Sequence, residues 1–350
     1  MRRFGLALVL ACGIAAIAFL GFANPAPTGG PYKILKTAKV GGDGGFDYVF
    51  ADVVGRRLYV PRRGPMSRIT IFNLDTLEPT GEIANADGHG VVVDPKTHHG
   101  FLTSKPVIMF DTETMKIIKS IEVQGNPDGI FFDAYTERVY DLSHEAPNAT
   151  VIDAKDGSIV GTVDLGGAPE QAVGDGNGHV YIDVEDKGNI AVVDAKTLEV
   201  TRHIDISSKG GTCAGLAMDA KNHILFSTCR NPQNMVIVNA NDGNILATLP
   251  IGAASDGALF NPASMEAFSS NSDGTLTIVK ESSPSSFAVE QNLTTMPSAK
   301  TSTLDRKTNH VLLIAAEFEP PPAGTAPLGN GRIARGPMVS GSFSILVVGK

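Results

Sequence analysis

A short apolar segment closing on Asp or Asn recurs seven times along the chain, at Asp52, Asp94, Asp133, Asp175, Asp219, Asn261 and Asp305. The intervals are 42, 39, 42, 44, 42 and 44 residues. Each anchor is followed by a polar turn, as in Asp94-Pro95-Lys96-Thr97. A second apolar run then comes, for example Arg138 to Leu142 or His179 to Val184. A third run ends on Asn73, Asp111, Asp153, Asp194 or Asn239, and a further turn such as Asp242-Gly243 opens a fourth. Runs of this length, rich in Val, Ile, Phe and Tyr and punctuated by Gly, Asp and Asn, read as strands. Four strands in a period near 42 residues make one blade, so the fold expected is all-β: a seven-bladed β-propeller with four-stranded blades.

The two ends of the chain support closure of that ring. Ile34 to Gly42 (ILKTAKVGG) matches the fourth strand of other units, such as Ile159 to Gly167 (IVGTVDLGG), whereas the last unit reaches only a third strand at Ser342 to Val348. The N-terminal strand is therefore expected to complete the last blade, which removes the edge an open sheet would expose.

The segments DxxxxRLYV (Asp52 to Val60), PDGIFFDAYTERVY (Pro127 to Tyr140) and NIAVVDAKTLEV (Asn189 to Val200) are similar to the YVTN repeat. Over residues 32–350 the chain resembles the YncE-like family of exported seven-bladed propellers. The resemblance implies that fold and says little of activity, because related propellers include binding proteins, lactonases, lyases and quinoprotein dehydrogenase subunits. The repeat departs from its pattern in the last two units, where Asn261 replaces Asp and a third strand ends at Lys280.

Residues 1–23 carry the three parts of a secretory signal: Arg2 and Arg3, an uncharged run from Phe4 to Phe22, and the small-x-small site Gly21-Phe22-Ala23. Cleavage after Ala23 is expected, then a Pro-rich linker over 24–31, a propeller over 32–350, and a periplasmic or secreted location with no membrane attachment. The net charge of -8 would repel a phosphate backbone, so nucleic acid is not an expected partner. Past the signal the chain holds Cys213 and Cys229. If Ile224 to Cys229 folds back on Cys213 to Met218, Met218 pairs with Ile224 and Cys213 lands opposite Cys229, close enough for a disulfide.

Counting back five residues from each anchor gives the loop entering each innermost strand: Asp47, His89, Asp128, Glu170, Ala214, Asp256 and Lys300. Around one axis these positions form a ring. Four carboxylates, an imidazole and an ammonium are not what a packed position holds. The sharp reading is a polar mouth for a small ligand or a divalent cation, with Asp47, His89, Asp128 and Glu170 as ligands and Ca, Mg or Mn as the metals such donors suit. The plain alternative is turn capping, since Asp128-Gly129 and Asp256-Gly257 are also good turn pairs. His144, Arg62 and Arg230 follow second strands on the same face and are candidates for orienting an anionic ligand. The long loop from Phe318 to Val339 connects strands two and three of the last blade and should lie over that face.

Glycines 41, 42, 44 and 45 lead into a strand, so they lack the helix N-terminus of a phosphate cradle. No haem-attachment, zinc-protease or Gly-x-Ser-x-Gly motif is present. The expected function is an exported monomeric binding or scaffold module that takes a small molecule or a protein on its ring face. The alternative is a metal-assisted hydrolase or lyase in which Asp128, Glu170 or His89 moves a proton.

Overall fold

The structure, a computed structural model, describes residues 27–326 and 328–350. The expected signal peptide and residues 24–26 of the linker lie outside the described residues. Within them, seven four-stranded antiparallel sheets stand as the blades of a propeller. Blade 3 is representative, with strands Pro127–Asp133, Arg138–Ser143, Ala149–Asp153 and Ile159–Val163 in sequential order. The other innermost strands are Phe50–Asp52, Val91–Asp94, Pro169–Gly174, Cys213–Asp219, Ser255–Asn261 and Ser302–Asp305.

Burial follows from position within a blade. Second strands are covered on both faces by neighbouring blades, and every residue of Ile224–Cys229 is buried. Outer strands face solvent, and in Ile245–Pro250 half-buried and exposed residues alternate. The cores therefore lie between blades. Leu58 and Val60 of blade 1 pack on Leu312, Ile314 and Ile345 of blade 7, together with Phe343.

Closure is as the sequence implies. The strand Lys33–Lys39 forms the outer edge of the last blade, Lys39 opposite Ser344 and Thr37 opposite Leu346. Side chains clasp the joint: Tyr32 donates its hydroxyl to Glu266, Lys350 Nζ donates to Glu266 Oε1 at 2.6 Å, and the Tyr32 ring meets Phe268 edge-on.

The seven anchors share one task. In each first turn the anchor side chain accepts a backbone N–H from two or three residues on: Gly55 to Asp52, Lys96 to Asp94, Tyr135 to Asp133, Asn177 to Asp175, Lys221 to Asp219, Ala263 to Asn261 and Lys307 to Asp305, at 2.7 to 3.2 Å. Asn261 performs it as well as Asp, because only an acceptor oxygen is needed.

A β-bulge recurs where the ring positions fall. Register shifts separate Pro127 from Ile130, Pro169 from Ala172, Cys213 from Gly215 and Ser255 from Gly257. The inserted residues bracket Asp128, Glu170, Ala214 and Asp256. An extra residue breaks the in-and-out alternation of a strand and re-aims a side chain. The same bulge corrects the expected disulfide register: Ile224 pairs with Asp219, not Met218, and the shift at Ala214 restores Cys213 opposite Cys229. The disulfide Cys213–Cys229 is formed.

Candidate functional site

The expected ring positions converge at one end of the central channel. A cavity of about 230 Å³ there is lined by Asp47, His89, Asp128, His144, Glu170, Asp256 and Lys300, with Arg63 and Arg332 at its edge. The carboxylates of Asp47, Asp128 and Asp256 are engaged by cationic side chains, so capping a local turn is not their role.

Around the axis acidic and basic side chains alternate and close on themselves. His89 Nδ1 lies 2.9 Å from Asp47 Oδ2 and 2.7 Å from Asp128 Oδ1. His144 Nε2 stands 3.2 Å from Asp128 Oδ2 and 3.8 Å from Glu170 Oε1. Arg230 Nη1 is 3.6 Å from Glu170 Oε1, and its Nη2 pairs with Asp256. Lys300 pairs with Asp256 and sets Nζ 2.7 Å from Asp47 Oδ1. Four acids thus alternate with four bases.

Two of those bases come from a second register. In blade 5 the ring position is the methyl of Ala214, fully buried. Arg230, directly after the second strand of the same blade, fills the gap. Counted seven residues into each second strand, the equivalent positions are Arg63, Lys105, His144, Glu185, Arg230, Ser272 and Ala316. His144 and Arg230, expected to orient an anionic ligand, are members of the ring itself. Glu185, which accepts from Arg230 Nη1 at 2.6 Å, is the participant that counting from the anchors alone misses. Its shared position with His144 and Arg230 is the signal for it.

Arg62 is not part of the ring. Its side chain turns to the joint with blade 7 and lies over the Phe343 ring, 3.5 Å from the centroid. One residue on, Arg63 reaches the cavity, its Nη1 3.3 Å from His89 Nδ1.

The alternation fixes the protonation states. Burial alone would push the His89 imidazolium to lose its proton, but hydrogen bonds to Asp128 and Asp47 outweigh this and raise its pKa to about 9. The Asp128 pair likewise raises His144. Asp128, despite burial, is held well below the usual carboxylate range by His144 and His89, and Asp256 is held to about 2 by Lys300 and Arg230. Glu170 goes the other way. Burial and a hydrogen bond with Glu185 push it well above the carboxylate range. Its neighbours stand off: Tyr48 Oη at 3.4 Å, Arg332 Nη2 at 3.4 Å, Arg230 Nη1 at 3.6 Å and His144 Nε2 at 3.8 Å.

Arg332 comes from the 318–339 loop, which folds over the ring face as expected. Gly331 lets it approach: at φ +74° its backbone lies where a β-carbon would stand 2.9 Å from Arg230 O. Gln171 Oε1, one residue on from Glu170, accepts from Leu216 N (3.0 Å) and Ala258 N (3.1 Å), tying blade 4 to blades 5 and 6.

Two triads bring ligand atoms within 4.8 Å of one another: Asp47, His89 and Asp128, and Asp128, His144 and Glu170. A metal ligand must be deprotonated. The carboxylates beside both imidazoles favour their protonated forms, so a divalent cation here competes with a proton.

No family model matches the sequence, and no curated protein does. Solved structures do. A chain of "Crystal Structure of Mitotic Checkpoint Complex" superimposes with a TM-score of 0.66 at 12% identity, covering 89% of this chain and 96% of that one. "Crystal structure of RRP9 WD40 repeats" gives 0.68 at 10% identity, covering 93% and 99%. The likeness is one of fold. The fold they share with this chain is the β-propeller. Among the described residues no helix is long and apolar enough to cross a membrane.

Proposed function

We propose that the chain is an exported binding module of the YVTN-repeat type that takes a small carboxylate-bearing ligand on its ring face, beneath the 318–339 loop. The observation that carries this reading is the convergence on Glu170. Three cationic nitrogens, from His144, Arg230 and Arg332, approach Oε1 at 3.4 to 3.8 Å, well beyond the ~2.7–2.9 Å of a formed charge-assisted hydrogen bond. Glu170, pushed toward its neutral form, does not hold them at bonding distance: Arg230 Nη1 is held instead by Glu185 at 2.6 Å, and Arg332 Nη2 comes no nearer than 3.4 Å. A ligand carboxylate would draw them in, and a protonated Glu170 would donate to it. The loop, bringing Arg332, would fold onto an occupied site. Export is supported by the N-terminal signal pattern and by the disulfide, which persists in an oxidising compartment.

The test is a thermal-melt screen of small carboxylates and zwitterions at constant ionic strength, followed by calorimetric titration of any compound that raises the melting temperature. Arg332→Ala should weaken binding by tenfold or more, with little change in the melt of the free protein. The reading fails if nothing in the screen shifts the melt, or if binding survives that substitution unchanged.

A second reading rests on the two carboxylate–histidine triads, which offer donors to Mn, Mg or Ca and would serve a hydrolase or lyase. Because the cation must displace a proton from His89, binding would strengthen from pH 7 to pH 9. Metal analysis of purified protein across that range checks it, and a cation-independent melt at pH 9 removes it.

A further inference from the structure

Arg62 is a buried guanidinium whose donors go largely unused. It is 1% exposed. Its Nε and Nη2 atoms, both inaccessible to solvent, have no hydrogen-bond partner, and Nη1 reaches Gly41 O only at 3.5 Å. The carboxylate whose charge reaches it, Asp43, is turned away, its oxygens 3.2 Å from Ser340 Oγ and 3.2 Å from Gly341 N. Leaving a charged donor buried and unpaired is among the more costly things a fold can do.

A second guanidinium shares the place. Arg68 directs Nη1 to Met66 O (2.7 Å) and Nε towards Glu82 (3.6 Å), with Nη2 on the side of Arg62. The glycine loop covers both. Gly41, Gly42 and Gly44 all have positive φ, and a β-carbon on Gly42 would stand 3.1 Å from Arg68 Nη2 and 3.6 Å from Arg62 Nη2. Burial and the like charge of Arg68 push the Arg62 guanidinium down to about 10.

We propose that Arg62, Arg68 and the Gly41–Gly45 loop form a binding site for one oxyanion, separate from the ring. The free Nε–Nη2 edge of Arg62 is the fork that takes two oxygens of a carboxylate or phosphate at once, and Arg68 Nη2 supplies a further donor. Phe343 holds the guanidinium plane from behind. Glycines without side chains leave the loop free to close on the anion, in the way that left-handed glycine turns serve anions elsewhere. The site joins the closing strand of blade 7 to blade 1, so occupancy would lock the ring shut.

Inorganic phosphate and acetate are the probes, each titrated at fixed ionic strength against chloride while the melting temperature is followed. The expected result is a saturable rise of at least about 2 °C with one or both anions. Phosphate alone would indicate a tetrahedral ligand, and acetate a carboxylate. Arg62→Met should abolish the rise while melting no lower than wild type in chloride, because a buried unpaired charge is removed. Should that variant not fold, Arg68→Met, at a partly exposed position, should weaken the response about tenfold. Arg332→Ala, in the ring lid, should leave it intact. The proposal is overturned by no response in wild type, by a response that survives in the Arg62 and Arg68 variants, or by one lost in the Arg332 variant, which would assign the anion to the ring.

Discussion

Lys300 Nζ and Asp47 Oδ1 lie 2.7 Å apart although 253 residues separate them in the chain. They are the last and first members of the ring, so this contact records closure of the propeller as well as closure of the charge circuit. Lys300 also holds Asp256, whose pKa of about 2 depends on it and on Arg230. Replacing Lys300 by Met leaves Asp47 and Asp256 facing each other without their shared cation. Removing one partner of a buried pair costs roughly 3–5 kcal/mol, and here about 2–3, because 19% of the Lys300 side chain stays exposed. Chemical denaturation measures this, and adding Asp47→Asn should recover part of the loss.

His89 gives the ring a pH dependence with a definite sign. Its pKa is raised in the folded state from 6.5 to about 9, so the stability it contributes is fully present below pH 6.5 and is lost as the pH rises to about 9. The loss should be roughly 2 kcal/mol, allowing for partial exposure. Denaturation of wild type and His89→Gln at pH 6 and pH 9.5 tests it. The variant should show a clearly smaller difference between the two pH values. An equal slope in both proteins would mean that the imidazole is not the titrating group.

The fold was legible because each blade repeats one turn device. Seven acceptor side chains at the first turn mark the period, and the turn's need for them is local. The ring positions were legible for the same reason, lying at a fixed distance before those anchors. What the anchors do not encode is the second register. His144, Glu185 and Arg230 follow second strands of equal length, and their meeting with the ring depends on the bulges at Asp128, Glu170 and Asp256, which no residue type announces. Arg62 shows the converse. It neighbours Arg63 in sequence, but successive residues leave a strand on opposite faces, so one enters the site and the other the blade joint.

Asp141 is a buried liability in blade 3. It is fully buried, neither carboxylate oxygen has a partner, and burial raises its pKa from 3.8 to about 8. For an acid raised in the folded state, the unfolded chain releases its proton first, so stability falls as pH rises from about 4 to about 8. Asp141→Leu should therefore stabilise the protein by about 1–3 kcal/mol near neutral pH, with the gain shrinking towards pH 4. Denaturant midpoints at pH 4.5 and pH 7.5 provide the measurement. A variant that is less stable at both would show that Asp141 has a partner in solution.

The disulfide ties a scaffold element to the ring. Cys213 precedes Ala214 in the bulge of blade 5, and Cys229 precedes Arg230, so the cross-link fixes both ends of the segment that places the guanidinium between Glu170 and Asp256. The sequence separation of 16 residues corresponds to a stabilisation of about 3 kcal/mol in the chain-entropy account. Cys213→Ser with Cys229→Ser should lower stability by about 2–4 kcal/mol. Because Arg230 would then lose its fixed neighbour, part of that loss should depend on the charge it carries. In a double-mutant cycle, Arg230→Met should cost less in the serine variant than in the oxidised protein. Intact-mass analysis supplies the prior condition: alkylation should add two more labels after reduction than it does to the unreduced protein. Equal costs for Arg230→Met in both backgrounds would separate the cross-link from the ring.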